Sequence, residues 1–233
     1  MMIEATTDRG VARAFLHDSL PSAVRVLAVT ARPGQESADL GGLMYAFRRS
    51  GASLSLLCLT RGEATGQSSG TARLEAARPW EVQVAAMILD IGQVSVASFR
   101  DGSLHRHSMS DVAGRIRHAV REYSADLVLV IAPETGDIAD ATVARAATAA
   151  ALQAGVPAVA RTGPGVSGAW TVDLGADAEV ARAIQKSAAA AHTTQGEALP
   201  GLISRVDQVG RVETLRWLVA PARVPMARQT MST

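Results

Sequence analysis

The stretch Val26-Leu-Ala-Val-Thr-Ala-Arg-Pro-Gly-Gln-Glu36 constrains this chain more than any other. An apolar run rich in β-branched residues reads as a buried strand, placed at about Val24 to Thr30. Ala31 to Ser37 form a tight polar turn in which Pro33 fixes the backbone. Asp39-Leu-Gly-Gly-Leu-Met-Tyr-Ala-Phe47 then carries apolar residues at helical spacing, which predicts a helix from about Ala38 to Arg49. A strand that feeds a helix through a polar turn puts that turn at the carboxyl end of a sheet, where open α/β folds build their sites. Glu36 lies close to the helix N-terminus, where the macrodipole favours a carboxylate.

The same alternation runs along the rest of the 233 residues. Ser50-Gly51 closes the first helix, and Ser53 to Leu59 is a second buried strand that completes a right-handed βαβ unit. A Gly- and Ser-rich loop, Thr60 to Gly70, follows it. A helix is expected from Ala72 to Ile91, kinked or restarted at Pro79. Further strands are expected at Val94–Ser98, Asp126–Ile131, Val156–Ala160, Trp170–Leu174 and Val212–Val219. Helices are expected from a Ser110 cap to Tyr123, over Ala141–Gln153 and over Ala178–His192. Val11 to Leu20 is a candidate short helix before Pro21. Residues 1–10 and 222–233 read as tails that fray. Strands alternating with helices imply one α/β domain with a mostly parallel sheet covered on both faces.

Composition excludes several classes of function. No apolar run is long enough to span a bilayer, and the polar N-terminus does not read as a signal peptide. A formal net charge of +1 gives no reason to expect nucleic acid or an anionic membrane as partner. Lys186 is the only lysine, so nearly all positive charge is guanidinium, suited to carboxylate or phosphate contacts. The single cysteine, Cys58, falls in an apolar run and reads as a buried, inert thiol; without a disulfide framework the expected setting is cytoplasmic.

Six short motifs, in order, resemble the signature of the LmbE-like / PIG-L family of zinc-dependent N-deacetylases. Ala31-Arg-Pro-Gly-Gln-Glu36 stands where that family has Ala-His-Pro-Asp-Asp-Glu. Thr60-Arg-Gly-Glu63 is similar to its Thr-x-Gly-Glu loop, and Arg78-Pro-Trp-Glu81 with Ala85-Ala86 and Leu89-Asp-Ile-Gly92 to its Arg-x-x-Glu helix. Asp101-Gly102 resembles the turn after the third strand, Lys186 to His192-x-x-Gln195 the late signature, and Gly210-x-x-Glu213 the closing segment. The resemblance implies a Rossmann-like sheet, and a ligand pocket at Arg32, Gln35, Glu36, Arg61, Glu63, Arg78, Asp101 and Asp140.

The resemblance also implies which positions should hold zinc, and here they read differently. The family's first His and second Asp fall on Arg32 and Gln35, its general base on Gly34, and the last His of its His-Pro-Asp-His motif on Ala141. Only Asp140 of that second motif remains. A zinc site needs deprotonated N, S or O donors converging at about 2 Å, and a guanidinium cannot supply one. The expectation is therefore no zinc cofactor, and a binding or accessory protein that uses the old pocket for a sugar-like or anionic ligand, or that serves as a homo-oligomer or partner subunit. The alternative is an active N-deacetylase or related amidase with rebuilt chemistry, in which Glu36, Asp140, Glu63 or Asp101 is the base. A metal-independent enzyme of another type is a third reading.

Remaining motifs are read plainly. His105 and His107 would face one side if extended, but no third ligand joins them, so loop histidines are expected. His192 is expected to pack or hydrogen-bond, Arg78 and Glu81 to pair across one helical turn, and Asp101 to stabilise its turn. Gly163-Pro-Gly-Val-Ser-Gly168 lacks the lysine and strand-helix context of a phosphate loop. Arg32 is expected to take the electrostatic place of the metal, paired with Asp140 or Glu36 or turned to an anionic ligand.

Overall fold

The structure, a computed structural model, describes residues 19–64 and 71–222. The predicted helix at Val11–Leu20 and the predicted tails fall almost wholly outside these residues, as does the end of the Thr60–Gly70 loop.

Seven strands form one sheet: β1 (Arg25–Thr30), β2 (Ser53–Thr60), β3 (Gln93–Phe99), β4 (Leu127–Ile131), β5 (Ala158–Arg161), β6 (Ala169–Asp173) and β7 (Val212–Val219). Their order is β3-β2-β1-β4-β5-β7-β6. The first five run parallel, and β7 pairs antiparallel with β5 and β6. The chain thus leaves β1 in one direction to build β2 and β3, then returns to the other side of β1 to lay down β4. That reversal makes the β1–β4 boundary the topological switch point.

The sheet is buried on both faces because its central strands are nearly continuous apolar runs. In β1, Val26 and Ala28 belong to one core, and Leu27 and Val29 to the other. The first core is covered by α2 (Gly41–Arg49), α3 (Thr71–Ile88) and α6 (Ala178–Ala190); the second by α4 (Met109–Glu122) and α5 (Ile138–Ala154). A one-turn helix, α1 (Gln35–Ala38), precedes α2, and α7 (Leu199–Gln208) packs beside α6. Gly42 belongs at the start of α2 because a Cβ there would collide with the Arg182 guanidinium and the Glu213 carboxylate.

Several boundaries correct the sequence reading. The first predicted helix is two helices, broken at Asp39–Leu40. Helix α3 runs through Pro79 without ending, since one missing N–H removes one rung of the ladder only. The cap of α4 is Ser108, whose hydroxyl accepts from the Asp111 N–H at 3.1 Å, rather than Ser110. Helix α5 starts three residues early at Ile138, because Asp137 caps it through the N–H groups of Ala139 (2.7 Å) and Asp140 (3.4 Å). Helix α7 was not foreseen; its Pro200 lies in the first turn, where proline is compatible with a helix. Among the described residues, no helix is long and apolar enough to cross a membrane.

Candidate functional site

The loops after β1 and β4 meet at the switch point, and two side-chain bridges join them. Gln35, at the start of α1, turns its carbonyl oxygen back to the N–H groups of Ala31 (2.9 Å) and Arg32 (3.2 Å). Its amide nitrogen donates to Asp140 Oδ1 at 2.7 Å. The second Asp140 oxygen accepts from the Thr135 hydroxyl at 3.1 Å. Arg32 reaches across to Asp137, the cap of α5. Arg32 therefore pairs with neither of its expected partners, Asp140 or Glu36. The cap residue stands closer along the same helix entrance, and a capping carboxylate still has one oxygen to offer.

Charge at this crossing is balanced locally. Burial opposes the Arg32 cation, but the bond and field of Asp137, with lesser help from Asp140 and Asp101, hold its pKa above the ordinary value. Burial likewise works against the Asp137 carboxylate, and Arg32 and two backbone N–H groups overcome it, lowering its pKa. Asp140 goes the other way: burial raises its pKa, and the neighbouring Asp137 adds to the rise against the pull of Gln35.

Glu36 is not part of the open site. It is fully buried, with its carboxylate accepting from Gly34 N–H (2.9 Å) and Ser37 Oγ (3.1 Å) and meeting His192 Nε2 at 2.6 Å. His192 is itself fully buried, as the packing role predicted for it requires. The Glu63 carboxylate accepts from Asp101 N–H at 2.8 Å, and Asp101 accepts from Ala64 N–H at 3.1 Å, so these two acids tie the loops after β2 and β3 together. The Asp101 carboxylate therefore reaches the loop after β2 rather than its own turn, where a turn-stabilising role was expected of it.

Arg78 is wholly buried beneath Gly62 and Pro33, and burial lowers its pKa. Arg78 and Glu81 converge on Thr194: Arg78 Nε donates to its hydroxyl at 3.3 Å, and Glu81 accepts from its N–H and hydroxyl, both at 2.7 Å. Arg61 is exposed. His105 lies inside a single 3-10 turn, Leu104–Arg106, and His107 directly follows it, so the stretch is not extended; His105 is exposed, and His107 rests edge-on against Phe99. Asp137, Thr135 and Thr194 escaped the sequence reading. Only Asp137 carried a usable signal, as an aspartate just before a helix.

The chain matches the PIG-L family model, described as GlcNAc-PI de-N-acetylase, over residues 27–152. This protein belongs to the PIG-L family. No curated protein matches its sequence. Among solved structures, a conserved protein from Thermus thermophilus is 20% identical, with a TM-score of 0.66 over 87% of this chain and 98% of the other. The N,N'-diacetylchitobiose deacetylase of Pyrococcus horikoshii is 15% identical, with a TM-score of 0.65 over 97% and 98%. The 4-carboxy-2-hydroxymuconate hydratase GalB of Pseudomonas putida KT2440 is 16% identical, with a TM-score of 0.66 over 87% and 99%. At these identities the likeness shows the PIG-L fold.

The family's zinc can be tested against the donors at the switch point, and they do not fit it. Arg32 offers only N–H groups, Ala141 offers no donor, and the Gln35 oxygen is spent on two backbone N–H groups. Asp140 is the one anionic group among the positions matched to the family's zinc motifs, and both its oxygens are engaged; the neighbouring Asp137 carboxylate is taken up by Arg32 and its cap. Among the described residues, no group of three or more His, Cys, Asp or Glu side chains is placed to share a metal ion.

Proposed function

We propose that this PIG-L family chain does not perform zinc-dependent deacetylation at the switch point and works there as a binding or accessory protein. The observation that carries the reading is the pair of bridges Arg32–Asp137 and Gln35–Asp140, which satisfy one another where the family's ligands are expected. A guanidinium and an amide in those places stabilise carboxylates directly, so the site is complete without a dication. The rebuilt-enzyme alternative requires a free base. Glu36 is fully buried and triply engaged, and Glu63 and Asp101 brace loops, which leaves Asp140 as its one candidate. That a deacetylase and a hydratase share this fold supports taking the reaction from the site and not from the fold.

Elemental analysis of protein purified without chelator tests the proposal. Zinc well below one ion per chain is expected, together with no release of acetate from N-acetyl amino sugars when zinc is added. One tightly held zinc per chain, lost on Arg32→Ala or Gln35→Ala, overturns it.

A further inference from the structure

A cleft of about 510 Å³ opens where β5 ends and β7 begins, lined also by Ala38 and Asp39 at the end of α1. Asp39, Arg161, Thr162, Thr171, Arg205 and Thr214 supply its polar walls, and none of them belongs to the Arg32–Asp140 cluster. The Gly163–Pro164 start of the loop that does not read as a phosphate loop forms part of the rim.

Two features of this cleft call for an anion. Thr162 is 4% exposed, its N–H donates to the Thr214 carbonyl at 2.9 Å, and its hydroxyl has no partner among the described residues. A buried hydroxyl left unpaired is costly, so a polar group arriving there recovers a hydrogen bond. The guanidinium groups are also under-used. Arg161 meets Glu213 at 3.5 Å, while Glu213 is already held at 2.6 Å by Arg182. Arg205, half exposed, meets Asp39 at 3.4 Å and, among the described residues, no other carboxylate. Three guanidinium groups therefore face two carboxylates, and both arginines of the cleft wall have N–H groups to spare.

We infer that this cleft binds a small molecule through a carboxylate or phosphate group, held between Arg161 and Arg205 and accepting a hydrogen bond from the Thr162 hydroxyl. Planar guanidinium forks match both anions bidentately, and the volume lies in the ordinary range of small-ligand sites. Asp39 competes with the ligand for Arg205. Burial has already raised the pKa of its carboxyl, so the Asp39 anion is poorly solvated there and removing its charge frees Arg205 for the ligand.

Calorimetric titration of the full chain with inorganic phosphate, and separately with succinate, at fixed ionic strength tests this. Saturable binding of one probe per chain is expected, and whichever probe binds more tightly names the group. Arg205→Gln, on a half-exposed side chain, and Thr162→Val, which keeps its backbone bond, should each weaken binding about tenfold or more. Asp39→Asn should tighten it, and Arg32→Ala should leave it unchanged, which separates this cleft from the switch-point site. Absence of saturable binding by either probe overturns the inference. So does wild-type affinity in both Arg205→Gln and Thr162→Val.

Discussion

Gln35 and Asp140 face each other across the β1–β4 switch point with the amide nitrogen 2.7 Å from the carboxylate. The orientation of the amide is fixed, because its oxygen is held by the N–H groups of Ala31 and Arg32. The chain thus places a neutral donor, not a second acid, against a buried carboxylate whose pKa burial has already raised.

Gln35→Glu tests that relationship. The new carboxylate keeps the contacts to Ala31 and Arg32 but turns its second oxygen on Asp140, and two carboxylates so close share one proton. The shared group has a folded pKa raised above its unfolded value, so the variant is near wild-type stability in acid. It loses stability as the pH rises through the raised value, by about 1.4 kcal/mol per pH unit. Urea melts from pH 4.5 to 8 should diverge steadily from wild type. Parallel curves would mean that the two groups do not touch.

Arg32 and Asp137 are each about 30% exposed at the side chain, so their pair contributes modestly. Arg32→Ala is expected to cost about 1 kcal/mol or less. Asp137→Ala also removes the cap of α5 and should cost about 1 kcal/mol more. Asp137→Asn keeps a capping oxygen and should resemble Arg32→Ala. Because the Asp137 pKa is depressed, its contribution is present above the ordinary carboxylate value and is lost as the pH falls through the folded one. Equilibrium denaturation ranks the three variants; equal losses in Asp137→Ala and Asp137→Asn would remove the capping role.

Arg32→His, Gln35→Asp and Ala141→His together restore the family's expected donors around Asp140. The triple variant should hold about one zinc per chain by elemental analysis where wild type holds little. It should remain inactive on N-acetyl amino sugars, because Gly34 stands at the base position. Adding Gly34→Asp is expected to cost about 1–3 kcal/mol, since Gly34 has φ 96° and a Cβ there lies 3.0 Å from Leu202. A triple variant without zinc would show that Ala141 is not the counterpart of the last ligand.

The sheet was legible because strands buried on both faces are nearly continuous apolar runs, as in residues 54–59 and Leu127–Ile131. The meeting of Arg32, Gln35 and Asp140 was legible too, through the paired motifs. The partner of Arg32 was not. Asp137 and Asp140 lie one helical turn apart, and which of them a long guanidinium reaches depends on the helix start, which sequence places only within a few residues. The break at Asp39–Leu40 was hidden for a similar reason. Gly42 is demanded by Arg182 and Glu213, residues from the far end of the chain. The cleft at Arg161, Thr162 and Arg205 joins three separate elements and has no local motif at all.

His192 and Glu36 supply the last prediction. Both are fully buried and meet at 2.6 Å, while His192 Nδ1 has no partner among the described residues. Burial and, more weakly, the Arg78 charge disfavour the imidazolium; the Glu36 carboxylate, helped by Glu81, outweighs them and raises the His192 pKa above its ordinary 6.5. The stabilisation from this pair is therefore complete below pH 6.5 and fades as the pH rises through the raised folded value. Wild-type stability should fall across that interval on the alkaline side, and the fall should vanish in His192→Gln. His192→Ala leaves a buried carboxylate without its cation and should cost about 3–5 kcal/mol at pH 6. A histidine whose C2 proton resonance titrates at or below 6.5, with no pH dependence of stability beyond that of His192→Gln, would mean that the pair is a neutral hydrogen bond.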